Sequence, residues 1–146
     1  MKFAEEINQF YHDLSFYELE VINRGAAQPH INHNSLLYLN LIAYREDCTA
    51  SYLARMLNIS NGAVTLKINE LIRQGLVQRE QSISDRRMYY LKLTAKAEQR
   101  YRLFEQEVAA VASEVEKRFS SAEVEAFCRV TKVFSQVCSN EALSAG

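Results

Sequence analysis

Between Thr49 and Thr94 the apolar positions change period twice. Leu53, Ala54 and Leu57 fall on one face of a short helix that Thr49 is placed to cap. Val64, Ile68, Leu71 and Ile72 then repeat at i, i+4, i+7 and i+8, which predicts a second helix burying one side. Asn58-Ile59-Ser60 turns the chain between the two, with Ser60 as the next cap, and Gly75 supplies the left-handed residue that stops the second helix. From Leu76 the period drops to two. Residues 76–80 and 88–93 predict strands, the second alternating Tyr89, Leu91 and Leu93 against Met88, Tyr90 and Lys92. The polar stretch Gln81-Ser82-Ile83-Ser84-Asp85-Arg86-Arg87 is then a hairpin tip carrying two adjacent guanidinium groups.

On either side the helical period returns. Residues 2–24 predict a long aromatic-rich helix with Phe3, Ile7, Phe10 or Tyr11, and Leu14 spaced by three or four, ended by Gly25. Residues 26–31 connect it to a helix from about His33 to Arg45. Asn32 is placed to cap that helix, and Leu36, Leu37, Leu39, Leu41 and Ile42 make it nearly all buried. After the hairpin, Thr94 caps a helix to about Phe119 whose Phe104, Val108, Val111, Val115 and Phe119 approach a coiled-coil seam. Ser120-Ser-Ala-Glu123 is a capping box. The helix it opens carries Val124, Phe127, Cys128, Thr131, Phe134 and Val137 to about Cys138, with Cys128 and Cys138 expected in the core and 139–146 as a frayed tail.

Two short helices around a tight turn, the second polar on its outer side and followed by a β-hairpin, form the pattern of a winged helix-turn-helix. The fold class is therefore mainly α with a two-stranded wing. Charge supports that reading once it is divided. The net value is −1, but residues 45–93 hold eight basic against five acidic side chains, leaving nine bases and thirteen acids elsewhere. Ser60, Asn61, Gly62 and Thr65 at the start of the second helix are the base-reading candidates. Asparagine can bond adenine in two places, threonine offers a hydroxyl and a methyl, and glycine lets the backbone come close. Thr49 stands at a helix N-terminus whose N–H groups can hold a phosphate. Lys67, Asn69 and Arg73 are candidates for further phosphate contacts. Arg86 and Arg87 suit a minor groove or flanking phosphates.

The same residues carry a resemblance. Asp85-x-Arg87, five residues, then Leu93-Thr94 resembles the wing signature of the MarR family of winged-helix transcriptional regulators, and Ser60-x-x-x-Val64-Thr65 with Gly75-Leu76-Val77 resembles its recognition helix and first wing strand. The similarity is closest over these ~45 residues and looser on both flanks. Two departures from it stand out. Ala97 stands where the family often has glycine, and Leu66-Lys67 replaces a basic-then-apolar pair. The resemblance implies one domain over 1–146: a dimerisation helix and loop at 2–31, the DNA-binding module at 32–94 and dimerisation helices at 95–146. It further implies a homodimer on a pseudo-palindromic operator, usually as a repressor. Phe3, Ile7, Phe10, Val108, Val111, Val115, Phe127 and Phe134 would face the second copy. A small aromatic or amphipathic effector would sit near Tyr11, His12, Phe16, Tyr17 and Tyr38, and Asp85 would stiffen the wing by partly engaging Arg87.

Other chemistry is sparse. No nucleophile–base pair, glycine-rich phosphate loop or metal triad is visible, so neither an enzyme nor a cofactor is expected. His30-x-x-His33 lacks nearby carboxylates or thiols to complete a metal site. Cys48, Cys128 and Cys138 show no paired spacing, and Cys48, expected in a loop, is the one thiol placed for a redox-sensing regulator. The remaining alternative is a winged-helix adaptor that binds protein instead of DNA, which Leu66 and the low net charge allow. The acidic N-terminus and the absence of a ~20-residue apolar run predict a cytoplasmic protein without membrane contact.

Overall fold

The computed structural model describes residues 2–25 and 29–144, with only the backbone of Ala142 and Leu143. Its elements run α1 (Lys2–Asn23), α2 (His33–Ala43), α3 (Ala50–Leu57), α4 (Asn61–Arg73), β1 (Val77–Gln81), β2 (Tyr89–Leu93), α5 (Ala95–Glu116) and α6 (Ser121–Ser144). The first three residues of the expected 26–31 connection and the last two residues of the chain lie outside the described residues. The chain divides into two compact units, Met1–Glu105 and Gln106–Gly146.

In the first unit the caps expected from sequence are in place. Asn32, Thr49 and Ser60 all have extended backbone, and their side chains accept from the N–H groups of Ser35, Tyr52 and Ala63 at 2.8, 3.1 and 3.1 Å. Asn58, at φ 52°, takes the left-handed turn between α3 and α4, and Gly75, at φ +73°, leads the chain from α4 into β1. Leu39, Leu53, Val64, Ile68, Leu71, Leu76, Val77 and Leu91 fill the core. The strands are antiparallel, Val77 opposite Leu93 and Arg79 opposite Leu91. Leu91 N–H also donates to the Cys48 carbonyl at 2.8 Å, so the segment before α3 anchors the wing from its other side. Thr94 caps α5 through Ala97 N–H and donates to the Gly75 carbonyl at 2.6 Å, tying the exit of the wing to the end of α4.

Several expectations need correction. Helix α2 stops at Ala43, and Arg45 instead lies 3.9 Å from the Tyr52 ring centroid while its Nε pairs with Asp47 at 2.9 Å. Leu37 is exposed, because α2 leaves one face to solvent. Helix α6 runs through Ser144, so 139–144 is helical and not a frayed tail: no breaker interrupts Asn-Glu-Ala-Leu, and the hydroxyls of Ser139 and Ser144 bond back to the carbonyls of Ser135 and Glu141.

Among the described residues of the second unit none is buried in the single chain. Val111, Val115, Phe119, Phe127, Val133, Phe134 and Val137 are all exposed. Cys128 and Cys138 are exposed as well, which corrects their assignment to the core. The capping box is present: the Ser120 N–H and hydroxyl both donate to the Glu123 carboxylate at 2.8 and 2.7 Å, holding its pKa below the usual range.

Candidate nucleic-acid interface

Helix α4 is amphipathic in the sense the sequence requires, with Val64, Ile68 and Leu71 buried and Asn61, Gly62, Thr65, Leu66 and Arg73 exposed. Positions 62, 65, 66, 69 and 73 share one face, being spaced by three and four. The exposed Ser60 hydroxyl accepts from the Ala63 N–H, which leaves its own O–H free to donate outward. The Thr65 hydroxyl donates to the Asn61 carbonyl at 2.9 Å, so its proton is used internally and what it offers outward is a methyl group and oxygen lone pairs. Lys67 departs from its expected role. Its side chain is 12% exposed, and its ammonium lies 3.2 and 3.3 Å from the two carboxylate oxygens of Glu70 one turn on, which neutralises its charge locally. Arg73 has no such partner among the described residues.

Asn69 shows how the helix and wing are held together. Its amide oxygen accepts from Arg79 Nη2 at 2.8 Å, a bond from the middle of β1 to the outer side of α4. Sequence reading counted Arg79 only as a charge. The signal available was its position on the solvent side of a strand leaving α4, too weak to name a partner. Thr49 is half-buried and acts as the α3 cap.

At the tip, Asp85 is the organiser. Its carboxylate accepts from the backbone N–H of Arg87 at 3.0 Å, and its carbonyl accepts from Met88 N–H at 3.0 Å. Ser82 N–H reaches the Met88 carbonyl at 2.9 Å, and Gln81 Nε2 donates to the Arg86 carbonyl at 2.7 Å. The expected engagement of Arg87 by Asp85 is therefore through its backbone and not its guanidinium. That arrangement stiffens the turn while leaving both arginine head groups exposed and unpaired among the described residues. Ile83, also at the tip, is fully exposed.

The effector candidates separate. Tyr11, His12 and Phe16, with Leu19 and His33, line a cavity of about 390 Å³ in which the His12 and Phe16 rings stand 4.9 Å apart. Tyr17 instead meets Phe104, with centroids 6.5 Å apart. Tyr38 is 4% exposed and belongs to the core, because it faces inward from α2, which corrects its place in a pocket wall.

Cys48 is also corrected. The thiol is wholly buried, and burial pushes its pKa up to about 11, against which nearby Arg45 is a smaller, lowering influence. A thiolate is the reactive form, and at pH 8 Cys48 stays almost wholly a thiol. A variant retaining only this cysteine (Cys128→Ser, Cys138→Ser) is expected to resist a thiol reagent at pH 8 until denaturant is added. Rapid native labelling would show that the site opens. Among the described residues no cluster of three or more His, Cys, Asp or Glu side chains could hold a metal ion, and no helix is long and apolar enough to cross a membrane.

Residues 31–89, which hold α2 to the start of β2, match the model of the MarR family. The chain is 27% identical over 94 residues to the transcriptional regulator AdcR of Streptococcus pneumoniae, a match covering 62% of this chain and 64% of that protein, so it spans less than two thirds of that relative. Among solved structures it superposes on Streptococcus pneumoniae FabT in complex with DNA with a TM-score of 0.74 at 24% identity, covering 95% of this chain and 96% of that one. It superposes on Staphylococcus aureus MarR in complex with salicylate and kanamycin with a TM-score of 0.69 at 18% identity, covering 96% and 92%. These two likenesses show a shared fold.

Proposed function

We propose that the chain, whose residues 31–89 match the MarR family model, is a transcriptional regulator that binds double-stranded DNA as a homodimer, with α4 in the major groove and the β1–β2 wing beside it. One observation carries the reading. The Asn69–Arg79 bond ties the wing to the recognition helix, so that Asn61, Gly62, Thr65 and Arg73 are presented together with the guanidiniums of Arg86 and Arg87, exposed and unpaired among the described residues. A rigid polar helix edge flanked by free cations matches base edges bordered by phosphates. The DNA-bound FabT shares this fold, which supports the assignment.

Dimerisation is proposed from the apolar faces left open in the single chain. Phe3 and Phe10 on α1, Val108, Val111 and Val115 on α5, and Phe127 and Phe134 on α6 are exposed, and Ile7 is half-buried. Faces this extensive on a monomer mark an interface. A two-fold dimer would place two copies of α4 about 34–36 Å apart, one helical turn of DNA. Repression relieved by a small aromatic or amphipathic effector fits the same scheme. The cavity at Tyr11, His12 and Phe16 has an aromatic wall, and a MarR protein of this fold is known with salicylate. An effector that binds only conformers with misplaced recognition helices would draw the population off DNA.

The test is direct. Light scattering at micromolar concentration is expected to give twice the 16.8 kDa chain mass. A random-sequence duplex pool is expected to yield an enriched, pseudo-palindromic site whose affinity falls steeply with salt. A stable monomer would remove the dimer, and the absence of any enriched duplex would favour a protein-binding adaptor.

A further inference from the structure

We propose that Leu66 reads thymine 5-methyl groups in the major groove, leaning over a notch left by Gly62, and that the base pairs under α4 are therefore A·T-rich. This rests on the DNA-binding reading above. Leu66 is 73% exposed in the middle of the outward face of α4, flanked by Gly62, Thr65 and Asn69, and the core is complete without it.

A side chain on a helix tilts toward the N-terminus and covers the residue four positions earlier. For Leu66 that residue is Gly62, and nothing inside the molecule calls for a glycine there. Its φ is not among the positive ones, and an added Cβ would meet only Ser60 Oγ, at 4.0 Å. Glycine weakens a helix relative to alanine, so its value at this position lies outside the chain. Gly62 carries no side chain, so one turn before the exposed Leu66 the helix surface is bare backbone that a base edge can approach closely. The Thr65 methyl lies beside it, since the Thr65 hydroxyl turns back to the Asn61 carbonyl.

The chemistry on either side points to the same base pair. Guanine is most often read by arginine or lysine. The one lysine of α4 is tied to Glu70, and Arg73 stands at the far end of the helix. Beside Leu66, α4 thus brings no free cation of its own to guanine, the Arg79 guanidinium reaching over from β1 being held at Asn69, while Asn61 at the helix start suits adenine and the Leu66 surface suits the thymine methyl.

The experiment uses duplexes that the full-length protein selects from a random-sequence pool, resynthesised with deoxyuridine replacing thymine one position at a time. The exchange deletes the methyl and leaves every hydrogen-bonding group. For the wild type, at one or two thymines per half-site, affinity is expected to fall about fourfold per methyl, and about tenfold to twentyfold when one such thymine is exchanged in each half-site. Leu66→Ala should bind the parent site correspondingly weakly, be indifferent to uracil at those positions and keep its affinity for random duplex. Leu66→Met should retain the sensitivity. Gly62→Ala, which fills that notch, should melt no lower than wild type yet lose the uracil response. Wild-type binding that ignores uracil at every position overturns the inference and leaves the regulator reading standing. A response that persists in Leu66→Ala assigns the methyl to another side chain and overturns it too. If no duplex is enriched, the DNA-binding reading fails and this inference falls with it.

Discussion

Replacing Arg100 by alanine is expected to cost about 3–5 kcal/mol of stability, the largest effect of any single substitution considered for this chain. The residue is 7% exposed, and its guanidinium donates three times: Nε to the Ile22 carbonyl at 2.8 Å, Nη1 to the Pro29 carbonyl at 2.8 Å and Nη2 to Asn23 Oδ1 at 3.0 Å. Asn23 is itself fully used. Its amide nitrogen donates to the Leu19 and Ile31 carbonyls at 2.9 and 2.8 Å, and its oxygen accepts from Ile31 N–H at 2.8 Å. No carboxylate balances the Arg100 charge in this set. The balance comes from carbonyl dipoles, one of them (Ile22) in the last turn of α1, where a helix concentrates negative partial charge. Burial lowers the guanidinium pKa, but arginine starts so high that it stays charged.

Truncation leaves the Ile22 and Pro29 carbonyls without this donor, at about 1–3 kcal/mol each, and opens a void where the side chain packed. With a slope of about 2 kcal/mol/M for a domain of this size, the urea midpoint should drop by about 2 M. Wild type and variant must be compared at equal protein concentration, since dimerisation contributes to the apparent stability. Lysine carries its three N–H donors on a single nitrogen and cannot span acceptors met by three separate guanidinium nitrogens, so Arg100→Lys should recover only part of the loss. A shift under about 1 kcal/mol for the alanine variant would mean that water replaces the guanidinium without penalty.

The second large effect concerns binding and not stability. Removing both wing cations, Arg86→Ala with Arg87→Ala, is expected to weaken operator binding about a hundredfold at moderate salt. The slope of log K against log salt should flatten by about 2–4, because two protomers would withdraw up to four cations from the duplex. Both side chains are exposed and unpaired among the described residues, so the melting temperature should stay within about 1–2 °C of wild type. An unchanged salt slope would take the wing off the DNA. The contrast with Arg100 is instructive: three arginines within fifteen residues of sequence divide into two whose function is outward and one that holds the fold.

That division marks what can be read from a single chain. The α3–turn–α4–wing core of the module was legible because its determinants are local. A Ser or Thr cap bonds an N–H three residues on, an αL residue closes a turn and a 3–4 apolar stripe chooses one face, and each of these operates within a few residues. The same reasoning placed both strands within a residue or two and set Asn61, Thr65, Arg86 and Arg87 on the surface. It failed where the partner is remote. Arg100 sits on the buried stripe of α5, between Ala97 and Phe104, and the interruption of an apolar stripe by arginine was the available hint. Its acceptors, however, lie 71 to 78 residues earlier. The burial of Cys48 comes from packing within the assembled core, and the Asn69–Arg79 bond from the path of the chain around Gly75. Local chemistry thus determined the elements, their ends and the sidedness of the recognition helix. Which polar groups are consumed inside the fold and which are left for a partner was decided by tertiary structure, because a hydrogen bond acts over about 3 Å in space and is indifferent to separation along the chain.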